Sequence, residues 1–139
     1  MADLIKLDLV TPERLVLTGD FTMITATSVM GEFGVLPGHA PLLTALDVGE
    51  LMYRRGHVRH YVAVARGFAE VLGDKVTVLA EIAERSEEID RERAERARER
   101  ALGRLKSRDP EIDFKRAQVA LQKAVIRIQV ANRGRGEVP

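Results

Sequence analysis

The chain has no cysteine, which excludes disulfides, thiolate metal ligands and thiol nucleophiles. It has no tryptophan and only four Phe and two Tyr, too few aromatics for a stacking platform for single-stranded nucleic acid. It lacks any run of about 18 uncharged apolar residues, the length a helix needs to cross a bilayer. The start, Met1-Ala2-Asp3-Leu4, has no basic lead followed by an apolar run, so neither a secretory nor a transit segment is expected there. Neither Gly-x-x-x-x-Gly-Lys-Ser/Thr nor Gly-x-Ser-x-Gly occurs. His39, His57 and His60 are the only histidines, with no spaced carboxylates beside them, so no metal site and no catalytic constellation are expected. What remains is 139 residues, 45% hydrophobic and 31% charged, a composition that supports a packed domain rather than disorder.

The net charge of +1 hides an asymmetry. Residues 1–85 carry 8 basic and 11 acidic side chains, and residues 86–139 carry 14 and 10. The first stretch is −3 and the second +4, which points to two regions, 1–85 and 86–139, with different physics. A charge of +4 interleaved with acids is weak for nucleic acid; a solvated face or an acidic protein partner fits better.

The first region alternates in short runs. Ile5, Leu7 and Leu9 alternate with polar residues, and Thr11-Pro12 interrupts. Leu15–Leu17 resumes the pattern, and Thr18-Gly19-Asp20 reads as a turn. Phe21–Val29 is rich in β-branched residues. Leu51–Arg54 and Val58–Ala65 flank a turn at Arg55-Gly56-His57, and Phe68–Leu72 and Lys75–Ile82 flank Gly73-Asp74. Many short strands with frequent turns predict a β-sandwich or barrel. Residues 31–43 hold three Gly and two Pro, which predicts an irregular corner.

From Ile89 the period changes. Asp90 is a helix N-cap candidate, and Ala94, Ala97, Ala101 and Leu105 recur every three or four residues. Ser107-Arg108-Asp109-Pro110 breaks the helix, with Asp109 placed to cap the next and Pro110 at its first position. Phe114, Ala117, Leu121, Ala124, Ile128 and Ala131 form a second narrow stripe, and residues 132–136 end it. Two such helices pack as a hairpin that buries little area alone, so it needs the sandwich, a ligand or a partner. These patterns leave open a free-standing sensor and a sandwich adaptor that dimerises through its helices.

The run Gly31-Glu32-Phe33-Gly34-Val35-Leu36-Pro37-Gly38-His39-Ala40-Pro41-Leu42-Leu43-Thr44-Ala45-Leu46 resembles the signature of epsilon subunits of bacterial rotary ATP synthases. Val10-Thr11-Pro12, Gly67-Phe68-Ala69-Glu70-Val71, Val76-Thr77-Val78-Leu79-Ala80 and Ile112-Asp113-Phe114-Lys115-Arg116-Ala117 extend the resemblance over essentially the whole chain. The resemblance implies a β + α fold: a ten-stranded N-terminal sandwich, then an antiparallel two-helix hairpin. It implies a non-catalytic subunit that joins the gamma subunit and the ring of c subunits to a head of alpha and beta subunits. It implies a peripheral place at the cytoplasmic face of the bacterial plasma membrane, touching the membrane only through the ring, and no nucleic-acid partner. Glu32 is then the expected ring contact and His39 a stalk contact.

In this family the hairpin can extend and restrain ATP hydrolysis, with Lys115, Arg116, Lys123 and Arg127 meeting an acidic segment of the beta subunit. Ile89-Asp90-Arg91-Glu92-Arg93-Ala94 also resembles the pattern of members that bind ATP without hydrolysing it. That resemblance implies no required cofactor but ATP as a regulatory ligand. Arg93, Arg100, Lys123 and Arg127 would take the phosphates, Asp90 the adenine amine, Ile89 and Ala94 its apolar faces, and Glu84 the ribose. ATP-binding relatives carry Arg where Lys123 stands, and lysine lacks the guanidinium fork.

Overall fold

A computed structural model describes residues 3–133. Eight strands come first: β1 (Ile5–Val10), β2 (Leu15–Phe21), β3 (Met23–Ser28), β4 (Gly31–Val35), β5 (Leu42–Leu46), β6 (Gly49–Arg55), β7 (Val58–Leu72) and β8 (Lys75–Arg85). A single 3-10 turn (Ser86–Glu88) leads to helices α1 (Arg91–Lys106) and α2 (Phe114–Arg133). The sandwich followed by a helical hairpin is the architecture expected, with eight strands rather than ten.

Two runs that read separately form one strand. β7 passes through Arg66 and Gly67, both at positive φ, and keeps its register with β8 on either side. At Gly67 (φ 142°) a Cβ would lie 2.0 Å from the Leu79 carbonyl oxygen, so only glycine fits this bend. The bend lets one strand serve both layers. Its first half pairs with β6 and its second with β5, while β8 follows its other edge throughout. β1 joins β8 in parallel and β2 closes that layer; β3 links β4, β5 and β6 on the other.

Other expectations shift locally. Thr18-Gly19-Asp20 is not a turn: Gly19 sits inside β2 opposite Leu7, where the Phe21 ring covers the space a side chain would take. Residues 31–43 are not wholly irregular. Gly31–Val35 pairs with β3 and Leu42 begins β5, so only Leu36–Pro41 departs from the sheet. The tight turns at Gly56-His57 and Gly73-Asp74 stand as read.

The alternating residues fill one core. Ile5, Leu7 and Leu9 of β1 meet Ile24, Leu51, Val62, Val71, Val76 and Val78, all almost fully buried. Along β7 the alternation disappears: Tyr61 through Ala65 are all buried. Val62 and Val64 face this core, while Tyr61 and Ala63 face a second cluster with Val130 of α2. A strand buried on both faces marks where the hairpin lies.

Asp90 caps α1 as expected, accepting from the Arg93 N–H at 3.1 Å. The cap of α2 is Asp113, not Asp109. Asp113 accepts from the Arg116 N–H at 3.1 Å, whereas the Asp109 carboxylate turns the loop by accepting from Glu111 N–H. Pro110 therefore lies in the loop. Asn132 and Arg133 remain helical; Gly134–Gly136 lie outside the described residues. Ala94 and Ala101 of α1 and Ala117, Ala124 and Ala131 of α2 are buried in the seam, while Phe114 is 46% exposed.

Candidate functional site: the junction of hairpin and sandwich

α2 reaches the sandwich on a small apolar footing. Tyr61, Ala63 and Val130 are buried there, with Met52, Ile89 and Ile126 packed around them. Ion pairs surround this footing. Arg127 grips Glu84 through two hydrogen bonds, Nε to Oε1 at 2.7 Å and Nη2 to Oε2 at 3.3 Å. Farther along α2, Gln129 donates to Glu50 at 2.6 Å, and Arg133 Nε lies 2.6 Å from Glu50 Oε1. Glu88 of the 3-10 turn takes Arg85 at 2.7 Å and also Arg14, from the loop between β1 and β2. The Arg14 hydrogen bond lowers the Glu88 pKa; partial burial opposes it, and Arg85 adds to the lowering.

A cavity of about 260 Å³ remains between the two regions. Val48, Ala63, Ala65, Ile82 and Glu84 line it from the sandwich, and Ala97, Ala120, Lys123, Ala124 and Arg127 from the helices. Of the residues implicated in nucleotide binding, it brings together Glu84, Lys123 and Arg127. The others lie elsewhere. Ile89 belongs to the apolar footing, Asp90 is occupied as a cap, and Ala94 is fully buried in the helical seam. Arg93 and Arg100 are exposed and do not line the cavity.

The candidates for partner contact also separate. Lys115 and Arg116 are exposed at the start of α2, whereas Lys123 and Arg127 face the cavity. Glu32 is exposed on β4, beside the β3–β4 turn where Met30 is 89% exposed. His39 lies in the loop after β4, its Nδ1 against the Ala40 carbonyl, and the neighbouring Gly38 N–H donates to Asp74. Among the described residues no group of His, Asp and Glu could hold a metal ion.

Two features escaped the sequence reading. The Arg133–Glu50 and Arg14–Glu88 ion pairs join residues 83 and 74 positions apart, and only the first follows the opposite net charges of the two regions. The other is an exposed apolar row across the outer face of one sheet. Strand register sets Leu15, Val10, Leu79, Phe68 and Ala45 side by side on five strands, and Leu15, Leu79 and Phe68 are each more than half exposed. Leu43 and Leu72 extend the patch. No periodicity within one strand reveals such a row; it needs the order of the strands.

A sandwich with an uncovered apolar sheet face, carrying a lightly footed hairpin, belongs to the class of proteins that work by docking in a larger assembly. Residues 4–86 match the family described as ATP synthase, Delta/Epsilon chain, beta-sandwich domain, and residues 87–132 the ATP synthase, Delta/Epsilon chain, long alpha-helix domain. The chain is 55% identical over 106 residues to the ATP synthase epsilon chain of Geotalea uraniireducens, covering 76% of this chain and 77% of the relative. It is 54% identical over 105 residues to that of Carboxydothermus hydrogenoformans, covering 76% and 78%. In three dimensions it is similar to a chain of the Euglena gracilis mitochondrial ATP synthase F1/c-ring assembly, with TM-score 0.80, 27% identity, and 93% and 81% of the two chains covered. A chain of the Tetrahymena thermophila central stalk and c-ring, at 18% identity and TM-score 0.56, shares the fold, with 94% and 95% covered. The chain belongs to the ATP synthase delta/epsilon family, among its bacterial epsilon chains. It is a non-catalytic stalk subunit of that membrane-associated complex.

Proposed function

We propose that the chain couples rotation of a c-subunit ring to the catalytic head, and that its hairpin is a conditional brake on ATP hydrolysis. In this reading the sandwich is the fixed platform. Its exposed row of Leu15, Val10, Leu79 and Phe68 seats the gamma subunit, where burial of each large side chain contributes about 1.5–3 kcal/mol. Met30 and Glu32 beside the β3–β4 turn present an apolar tip and a carboxylate to the polar loops of the ring. His39, in the loop tied to Asp74, is the further contact with the stalk. The subunit then sits peripherally at the cytoplasmic face of the bacterial plasma membrane; no described helix is long and apolar enough to cross a bilayer.

The observation that carries the brake is the small footing of α2: three buried residues, ringed by partly exposed ion pairs. Such a contact is worth only a few kcal/mol, the scale of a switch between two populated states. Released from the sandwich, Arg127 and Lys123 would join Lys115 and Arg116 as a basic face for an acidic segment of the beta subunit. Hydrolysis by an alpha, beta and gamma head tests this, comparing no addition, the intact chain and a chain ending at Ser86. Inhibition by the intact chain alone is expected; equal inhibition by both would move the brake into the sandwich.

ATP as a regulatory ligand is supported by Glu84, Lys123 and Arg127 lining one cavity. At about 260 Å³ the cavity is below the usual span of ligand pockets, and Arg93 and Arg100 stand outside it. Binding therefore requires the hairpin to shift and Arg127 to exchange Glu84 for phosphate. Equilibrium dialysis with ATP separates the alternatives: saturable binding lost in Arg127→Ala supports the sensor, and none at millimolar ATP removes it.

A further inference from the structure

A second basic pocket lies away from the helix-lined cavity and shares no residue with it. It measures about 430 Å³ and is lined by Arg54, Gly56, His57, Arg59, Tyr61 and Arg133. Arg54 and Arg59 are paired directly across β6 and β7, a placement that brings like charges within about 5 Å at Cβ and is unfavourable when nothing lies between them. Neither has a salt bridge among the described residues, and the buried Arg54 Nε has no hydrogen-bond partner there. Arg133 completes the group from the end of α2, its guanidinium 4.9 Å from the centre of the Tyr61 ring. It is paired with Glu50, yet its Nε makes no aligned hydrogen bond. Glu50 makes no salt bridge with the other two, its backbone lying four residues along β6 from Arg54, about 13 Å, although its side chain lines the adjoining groove with both.

We infer that this pocket is a binding site for a phosphate-bearing small anion, held between the Arg54–Arg59 pair and Arg133. Two guanidinium forks with no salt bridge among the described residues match phosphate oxygens, with Glu32 and Glu50 confined to the adjoining groove, and His57 adds a further nitrogen to the lining. The volume admits more than one phosphate group. Because the pocket takes residues from both the sandwich and α2, the anion bridges them and favours the docked hairpin.

The test is calorimetric titration and thermal unfolding of the full chain at low salt, with pyrophosphate as the probe. Saturable binding with a raised Tm is expected, weakened at least about tenfold in Arg54→Gln and in Arg59→Gln and unchanged in the exposed-loop variant Arg108→Gln. Without pyrophosphate, Arg59→Gln should unfold at the same temperature as the parent or higher, because it removes the opposed charges; that result separates loss of a site from loss of the fold. Weakening in Lys123→Gln but not in the two arginine variants would put the anion in the helix-lined cavity and overturn the inference. Equal weakening in all variants, Arg108→Gln included, would reduce the effect to net charge.

Discussion

The sandwich and the hairpin bury different kinds of side chain. The sandwich core holds Ile5, Leu7, Leu9, Ile24 and Leu51 with almost no exposure, whereas the hairpin seam holds alanines. Val130 is the one large residue of the helices that is fully buried among those described, and it is buried against the sheet rather than in the seam. A buried alanine removes about one methyl group from water, some 0.8 kcal/mol, against about 1.5–3 kcal/mol for a leucine or isoleucine. Alanines let two helices approach closely without making them self-sufficient. The contrast gives a platform that holds its shape and an arm that needs a surface to lie on.

The largest loss of stability is expected at the bend of β7. Gly67→Ala sets a Cβ against the Leu79 carbonyl in a backbone conformation that disfavours side chains, and a loss of about 3 kcal/mol or more is expected in urea denaturation of the full chain. Leu7→Ala opens a cavity under both sheets, with an expected loss of about 2–5 kcal/mol. Val130→Ala probes the arm instead. It should cost about 1 kcal/mol and appear as faster proteolysis within residues 91–133, with the main unfolding transition nearly unmoved. A Val130→Ala loss as large as that of Leu7→Ala would erase the distinction.

Smaller effects sharpen it. Glu84→Gln removes the charge that holds Arg127, and a loss of docking of about 1 kcal/mol is expected, read by the same proteolysis and reduced by salt. Glu88 should give the junction a pH dependence. Its folded pKa is lowered, so the contribution is present above the ordinary glutamate range and is lost as pH falls through the depressed native value. Acid titration of proteolytic sensitivity should show a midpoint below that range, and Arg14→Gln should move it upward.

The sequence made the two-region plan legible because period and charge sign both change near residue 86. Alternation identified the core face of β1, and the Asp90 cap was visible from its position before the alanine stripe. The misreadings share a physical cause. Gly19 and Gly67 look like turn signals but lie inside strands; at Gly67 the Leu79 carbonyl excludes any other residue, while at Gly19 the Phe21 ring lies over the space a side chain would take. Asp109 and Asp113 are equally good caps in isolation, and loop geometry chooses between them. For the site, Glu84, Lys123 and Arg127 line one cavity, while Arg93 and Arg100 lie exposed outside it, since their helical positions leave them on the solvent side. The Arg54–Arg59 pair and the apolar row depend on register between strands, which no single stretch of sequence displays.

Native-state hydrogen exchange on the full chain distinguishes a firm platform carrying a lightly held arm from a single cooperative unit. Amides of β1, β7 and β8 should exchange only through global unfolding, while those of α1 and α2 should exchange together through an opening that costs much less and responds little to denaturant. Helical amides protected to the same free energy as the sheet would mean that the hairpin is part of one cooperative unit, and the account of a releasable arm would be wrong.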